Sequence, residues 1–473
     1  MQIHSSTPAS KIMIAKDLRF ATLRRLAGAP VLSLGVLGGC SNESILLVVD
    51  PDILNPTDIA TAGGAGPLRF GAIQRFVLAF DGGTDSFVAF GGSIADEFRG
   101  SDTFDERILP NKRTISEDLS AGPYSGLHST RREINNAISV ITAVAPNPKF
   151  NIGELYMFRA YTEDFFAELY CSGIPFSDVT DDGVVLGKPE TTVQVLNRSI
   201  ASFDSALALA ETSTRVRFGA SVGKARALLN LGQFAQAAAA VSAVPTNFVL
   251  NIDHCFGTGC TDNGLYGAAS APSSRMTPAN REGINGLEFM PTVPDPRLPW
   301  VASNRAGFNT TWLNMPIALK ICPAYRNNCP GTFNTTGAVV LADGIEARLI
   351  EAEARLQGGT QADRDAVLVV LNTLRATGIT GKPITALTSA GATQAAAVTQ
   401  LFNERAYWMY MTGHRHGDLR RLIRQYGRDA ETVFPTGEQA PPLSGPYGTD
   451  VNAPVPARER NNPNFNGCLD RKA

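Results

Sequence analysis

The stretch "ERAYWMYMTGHRHGDLRRL", Glu404 to Leu422, sets two histidines, an aspartate and a glutamate among arginines and aromatics. His414, His416 and Asp418 are ligand types that zinc favours, so a metal or catalytic site is the first reading to weigh. The apolar spacing gives a different one. Val398, Leu401, Phe402, Trp408 and Met409 recur at helical intervals up to Gly413, a suitable helix stop, and Leu419, Leu422, Ile423 and Tyr426 resume the pattern. The stretch reads as two helices around a glycine corner that holds His414, Arg415 and His416. Arg405, Arg415 and Arg421 can there satisfy Glu404, Asp418 and the exposed carbonyls of the helix ends.

Helical periodicity extends upstream. Leu155, Phe158, Phe165, Phe166 and Leu169 mark one face of a helix ending near Gly173, and Leu196, Ile200, Phe203, Leu207 and Ala210 mark another. "ARALLNLGQFAQAAAAV" breaks at Gly232, so that a second helix carrying Phe234 and Ala237 can turn back on the first, as in a tetratricopeptide-type pair. "IEARLIEAEARLQGG" followed by "DAVLVVLNTLR" repeats the plan, with Gly358-Gly359 as the break. These patterns predict helical-hairpin repeats over about residues 60–244 and 338–430, with a C-terminal tail over 431–473.

Between about 245 and 337 the chain becomes rich in Gly, Pro and Asn; "PTVPDPRLPW" cannot be a helix interior, because proline lacks the donor and clashes with the preceding turn. This loop-rich insertion holds two of the chain's three tryptophans. Flat aromatic faces stack on sugars and other ring-bearing ligands, which makes Trp300, Trp312 and Tyr325 the candidate ligand contacts; the alternative is that they fill a small core beneath the loops.

The first forty residues stand apart. Lys11, Lys16, Arg19, Arg24 and Arg25 precede an uncharged stretch, Leu26 to Gly39, too short to span a bilayer as a helix. Residues 1–39 read as a secretion signal, with Met13 an alternative start, and removing them takes the formal net charge from -2 to -6. Leu37-Gly38-Gly39-Cys40 resembles the lipobox of bacterial lipoproteins, which implies a lipid anchor on Cys40. Six cysteines remain, an even number that suits an oxidising compartment. Short spacings favour Cys255 with Cys260 and Cys322 with Cys329, leaving Cys171 with Cys468 to close a loop of almost 300 residues. The balanced charge gives no pull toward nucleic acid, and no HExxH or Walker pattern marks an enzyme.

With these features in place, "ERAYWMYMTGHRHGDLRR" resembles the E-R-x-x-E-L-x-x-E-G-H-R-W-x-D-L-x-R signature of SusD/RagB-type outer-membrane nutrient-binding lipoproteins. Glu404, Arg405, Gly413, His414, Arg415, Asp418, Leu419 and Arg421 match; Trp408 and Thr412 replace acidic residues and His416 replaces the aromatic. "AEARLQGG" with Asp365-Ala366-Val367, Leu371-Asn372 and Arg375 is similar to the family's penultimate helix pair, and "VPARERNNPN" to its closing P-x-x-E-x-x-x-N-P-N.

The resemblance implies a mainly α fold over residues 40–473, a tetratricopeptide-like helical-hairpin scaffold with an irregular, loop-rich ligand-binding half. It makes the corner motif structural rather than catalytic, with no metal and no cofactor. It implies a lipid-anchored protein on the outer membrane, facing the cell exterior, that captures a nutrient such as an oligosaccharide. The implied partner is a SusC-like TonB-dependent transporter. Two other classes stand beside it: a surface lipoprotein hydrolase using a carboxylate pair such as Asp295 and Glu288, and a helical-repeat scaffold that binds only proteins.

Overall fold

Apolar periodicity becomes thirteen α-helices among the described residues. The computed structural model describes residues 60–473 apart from 181–182, 258–260, 327–328, 331–336 and 442. In chain order the helices are α1 (Ala65–Asp81), α2 (Phe87–Ile94), α3 (Asp105–Ile108), α4 (Ala121–Val144), α5 (Lys149–Leu169), α6 (Thr192–Leu209), α7 (Thr214–Asn230), α8 (Phe234–Val241), α9 (Gly264–Ala269), α10 (Gly344–Leu356), α11 (Gln361–Thr377), α12 (Gln394–Trp408) and α13 (His414–Tyr426). The fold is mainly α, as the sequence predicts.

Sequential helices pack as hairpins: α4 on α5, α5 on α6, α6 on α7, α7 on α8, and α10 on α11. Local chemistry fixes where two of them begin. Thr191 with Gln194 and Thr360 with Asp363 form capping boxes that satisfy free amides at the starts of α6 and α11. Gly232, at φ 72°, makes the left-handed turn between α7 and α8. The α6 and α7 backbones come close because Gly223 has no side chain; a Cβ there would lie 2.2 Å from the Phe203 ring. α8 also packs on α10, which joins the two helical halves across the intervening loops. The core is rich in aromatics: Phe87 stacks on Phe165 with ring centroids 3.7 Å apart, and Phe76 and Phe80 pack beside them.

The loop-rich region carries short antiparallel pairings that periodicity did not reveal. Phe98–Gly100 pairs with Met276–Pro278, Val249–Ile252 with Val339–Asp343, and Trp300–Val301 with Ile317–Ala318. Each strand runs only two to five residues, too few to show an alternating pattern. Among the described residues no helix is long and apolar enough to cross a membrane.

The C-terminal tail is tied to the end of α5. Cys171 N–H donates to Ala453 O and Ala453 N–H to Leu169 O, each at 2.9 Å. Cys171 and Cys468 form a disulfide across 297 residues, and Cys322 and Cys329 form a local one. Cys40 and Cys260 lie outside the described residues. Closing so long a loop restricts the unfolded chain strongly, so replacing both Cys171 and Cys468 with Ser should lower stability by about 2–5 kcal/mol in denaturant unfolding.

Candidate ligand-binding surface

The corner between α12 and α13 is built from paired charges. Gly413, at φ 86°, turns the chain; a Cβ there would meet the Phe87 ring at 2.5 Å. Arg405 donates twice to Asp418, from Nε at 2.8 Å and Nη2 at 3.0 Å, and Arg421 joins Asp418 to Glu353. Glu404 lies between Arg297 at 2.7 Å and Arg375 at 2.5 Å. Arg415 holds Asp96 in a fork, and His414 Nε2 sits 3.0 Å from Glu346 Oε1, which Arg226 also grips. His416 Nε2 contacts Val451 O at 3.1 Å.

All of these side chains except the partly exposed Arg375 are buried. Burial opposes ionisation of Asp418, but Arg405 and Arg421 outweigh it and hold the carboxyl far below its usual range. Burial would likewise raise Glu346, yet Arg226 and His414 bring it to about 2. Burial pushes His416 down to about 3, with Arg420 adding to the effect, so it is neutral near pH 7. The groups that suggested a zinc site are thus engaged with protein partners. Among the described residues no cluster of three or more His, Cys, Asp or Glu is placed to hold a metal ion.

The three aromatics chosen from the sequence have different fates. Trp312 is only 5% exposed and lies at the wall of a cavity of about 200 Å³ with Arg99, Asn280 and Met290. Tyr325 is half-buried, and its hydroxyl donates to Asp262 Oδ1 at 3.2 Å, bracing the loop closed by Cys322 and Cys329. Trp300 stands at the wall of a cleft of about 590 Å³, with Pro294, Asp295, Pro299 and Lys382, and its Nε1 donates to Pro291 O at 3.3 Å. That volume lies in the range of small-ligand sites. Asp295 and Glu288, the carboxylates of the hydrolase reading, pair with Arg297 and Arg281 respectively.

A second surface comes from residues that the sequence did not single out. Phe104 and Phe308 are 47% and 38% exposed, with ring centroids 6.2 Å apart and planes tilted by 43°. The Arg275 guanidinium lies 3.9 Å from the Phe308 centroid and 5.4 Å from that of Phe104. Asp102 fixes this arginine through Oδ2 at 2.7 Å, while its Oδ1 accepts the Thr103 and Phe104 amides.

Backbone bonds join the three loops: Ser101 N–H to Arg275 O, Phe308 N–H to Ser274 O and Asn309 N–H to Ser101 O, each 2.9 Å. Beneath them Arg305 donates to the carbonyls of Ala269, Ala271, Met315 and Pro316. Trp312 accepts the Gly307 amide through its carbonyl, anchoring the loop that lifts Phe308 into solvent. The result is a stiff platform with two apolar faces and a cationic donor between them.

No protein-family model matches the chain, and no curated protein matches it. Solved structures do. A SusD superfamily protein from Parabacteroides distasonis superposes with a TM-score of 0.63 at 12% identity, over 88% of this chain and 100% of its own. The chain shares its fold with that protein. The surface glycan-binding protein A of Bacteroides uniformis gives a TM-score of 0.61 at 13% identity, over 86% of this chain and 99% of its own. A laminarin-binding SusD-like protein gives 0.57 at 17% identity, over 86% and 99%.

The corner motif is a packing device, and its ionisation can be measured. Glu346 has a depressed folded value, so its contribution is present above about pH 4.5 and is lost as pH falls toward 2. Glu346→Gln should cost about 3 kcal/mol near neutral pH. In urea unfolding followed across pH, its gap from the parent protein should narrow on acidification.

Proposed function

We propose that this chain binds a glycan outside the cell and passes it to a SusC-like TonB-dependent transporter, without chemical conversion. The observation that carries this reading is the exposed Phe104–Phe308 pair around an ion-paired Arg275. Sugar rings present C–H faces that stack on aromatics, and their hydroxyls accept from a fixed guanidinium. Loops held by Arg305 and Trp312 lose little entropy on binding, which favours capture at low ligand concentration. The SusD-like fold, shared with proteins described as binding glycan or laminarin, agrees with this class of ligand. The Trp300 cleft offers a neighbouring class of surface, proline-walled around one half-buried indole.

The rest of the proposal comes from the sequence. A lipid on Cys40 would hold the protein at the outer membrane with its binding surface in the exterior medium. Cys40→Ala should then release the protein from the membrane fraction, and lipid mass on the parent N-terminus should disappear. Retention after high-salt washing, with no lipid on the parent protein, would contradict the anchor. Mild-detergent pull-down of the native protein should recover a TonB-dependent barrel.

The ligand reading is tested with an oligosaccharide panel that includes laminarin fragments. Phe308→Ala and Phe104→Ala should each weaken binding of a retained glycan by roughly tenfold or more, with the melting temperature little changed. Trp312→Ala should instead cost about 3–5 kcal/mol of stability, as for a large core side chain. Turnover of any panel member, or undiminished binding in both Phe variants, would contradict the proposal.

A further inference from the structure

A separate cavity of about 160 Å³ lies against the C-terminal end of α12, the strand Val339–Asp343 and the Pro296–Arg297 loop. Its walls include the apolar side chains of Ile345, Ile379 and Met409. Pro296 and Ile379 are partly exposed, which gives a way in, and Pro296 also lines the Trp300 cleft.

The polar groups of the wall are unevenly satisfied. Arg297 is matched by Asp295 and Glu404, the Thr412 hydroxyl donates to Met409 O at 2.5 Å, and Asp343 accepts the Glu346 amide at 2.7 Å as the cap of α10. Trp408 is different. It is 6% exposed, and its buried Nε1 N–H has no acceptor among the described residues. Buried donors are nearly always paired, so an orphan beside a cavity points to an occupant with an acceptor oxygen. Lys320, which donates to Trp408 O at 3.2 Å, brings an ammonium to the same wall. The space equals that of about five water molecules, enough for a ligand of about as many heavy atoms.

We propose that this cavity binds a short-chain organic carboxylate. Its carboxylate accepts from Trp408 Nε1 beside the Lys320 ammonium, and its alkyl tail packs on Ile345, Ile379 and Met409. A hydrogen bond to an ionised group is among the stronger ones available, and the apolar walls exclude competing water. Occupancy would also brace Pro296, and with it one edge of the Trp300 cleft.

The test is calorimetric titration and thermal melting of the full chain with sodium butyrate, against sodium chloride at equal ionic strength and the neutral isostere butyramide. Butyrate should bind saturably and raise the melting temperature, whereas butyramide should do neither. Trp408→Phe, which keeps an aromatic ring in place, and Lys320→Met should each weaken butyrate binding at least about tenfold. If Lys320→Met does not fold, Trp408→Phe decides alone. A response no different from sodium chloride would mean the cavity holds water only, and equal binding of butyramide or unchanged affinity in Trp408→Phe would equally overturn the proposal.

Discussion

A charge taken out of water has to be paired, and the α12–α13 corner meets that demand by reaching across the molecule. Asp418 joins Arg405 on α12 to Arg421 on α13, and Arg421 continues to Glu353 on α10. Glu404 ties Arg375 of α11 to Arg297 of the loop region. Arg415 reaches Asp96, just beyond α2, and Glu346 connects His414 to Arg226 on α7. Removing one partner from such a set leaves an uncompensated buried charge, at a cost of about 3–5 kcal/mol. The corner therefore fixes helices from both halves of the fold relative to one another and to the loops.

That fixed frame is what allows the loops to be irregular and yet ordered. Irregular backbone carries amides and carbonyls that need partners, and Arg305 supplies donors to four carbonyls at once. The surface that results exposes Phe104, Phe308 and Arg275 to solvent. A preformed surface of this kind suits reversible capture better than bond-making, because its one strong polar contact, Arg275 with Asp102, already neutralises the arginine.

The scaffold was legible from sequence because helices repeat their apolar faces locally: Leu155 to Leu169 and Val398 to Trp408 each fall within one observed helix. The glycine corner was legible for the same reason. The ionic partners were not. Asp96 and Arg415 are 319 residues apart, and no local spacing couples them. The flat rings of Trp300, Trp312 and Tyr325 are legible in the sequence but their burial is not, and Phe104 and Phe308 owe their exposure to a backbone that brings distant loops together. "SDTFDER" and "AGFNTTW", each a phenylalanine flanked by polar or small residues, were the available signal.

Hydrogen–deuterium exchange of the full chain, with and without a glycan retained from an oligosaccharide panel, most directly separates a binding platform from a reactive corner. The account predicts slowed exchange in residues 101–108, 272–276 and 303–314 and no change across 404–422. Slowed exchange confined to 404–422, with the three loops unaffected, would contradict it.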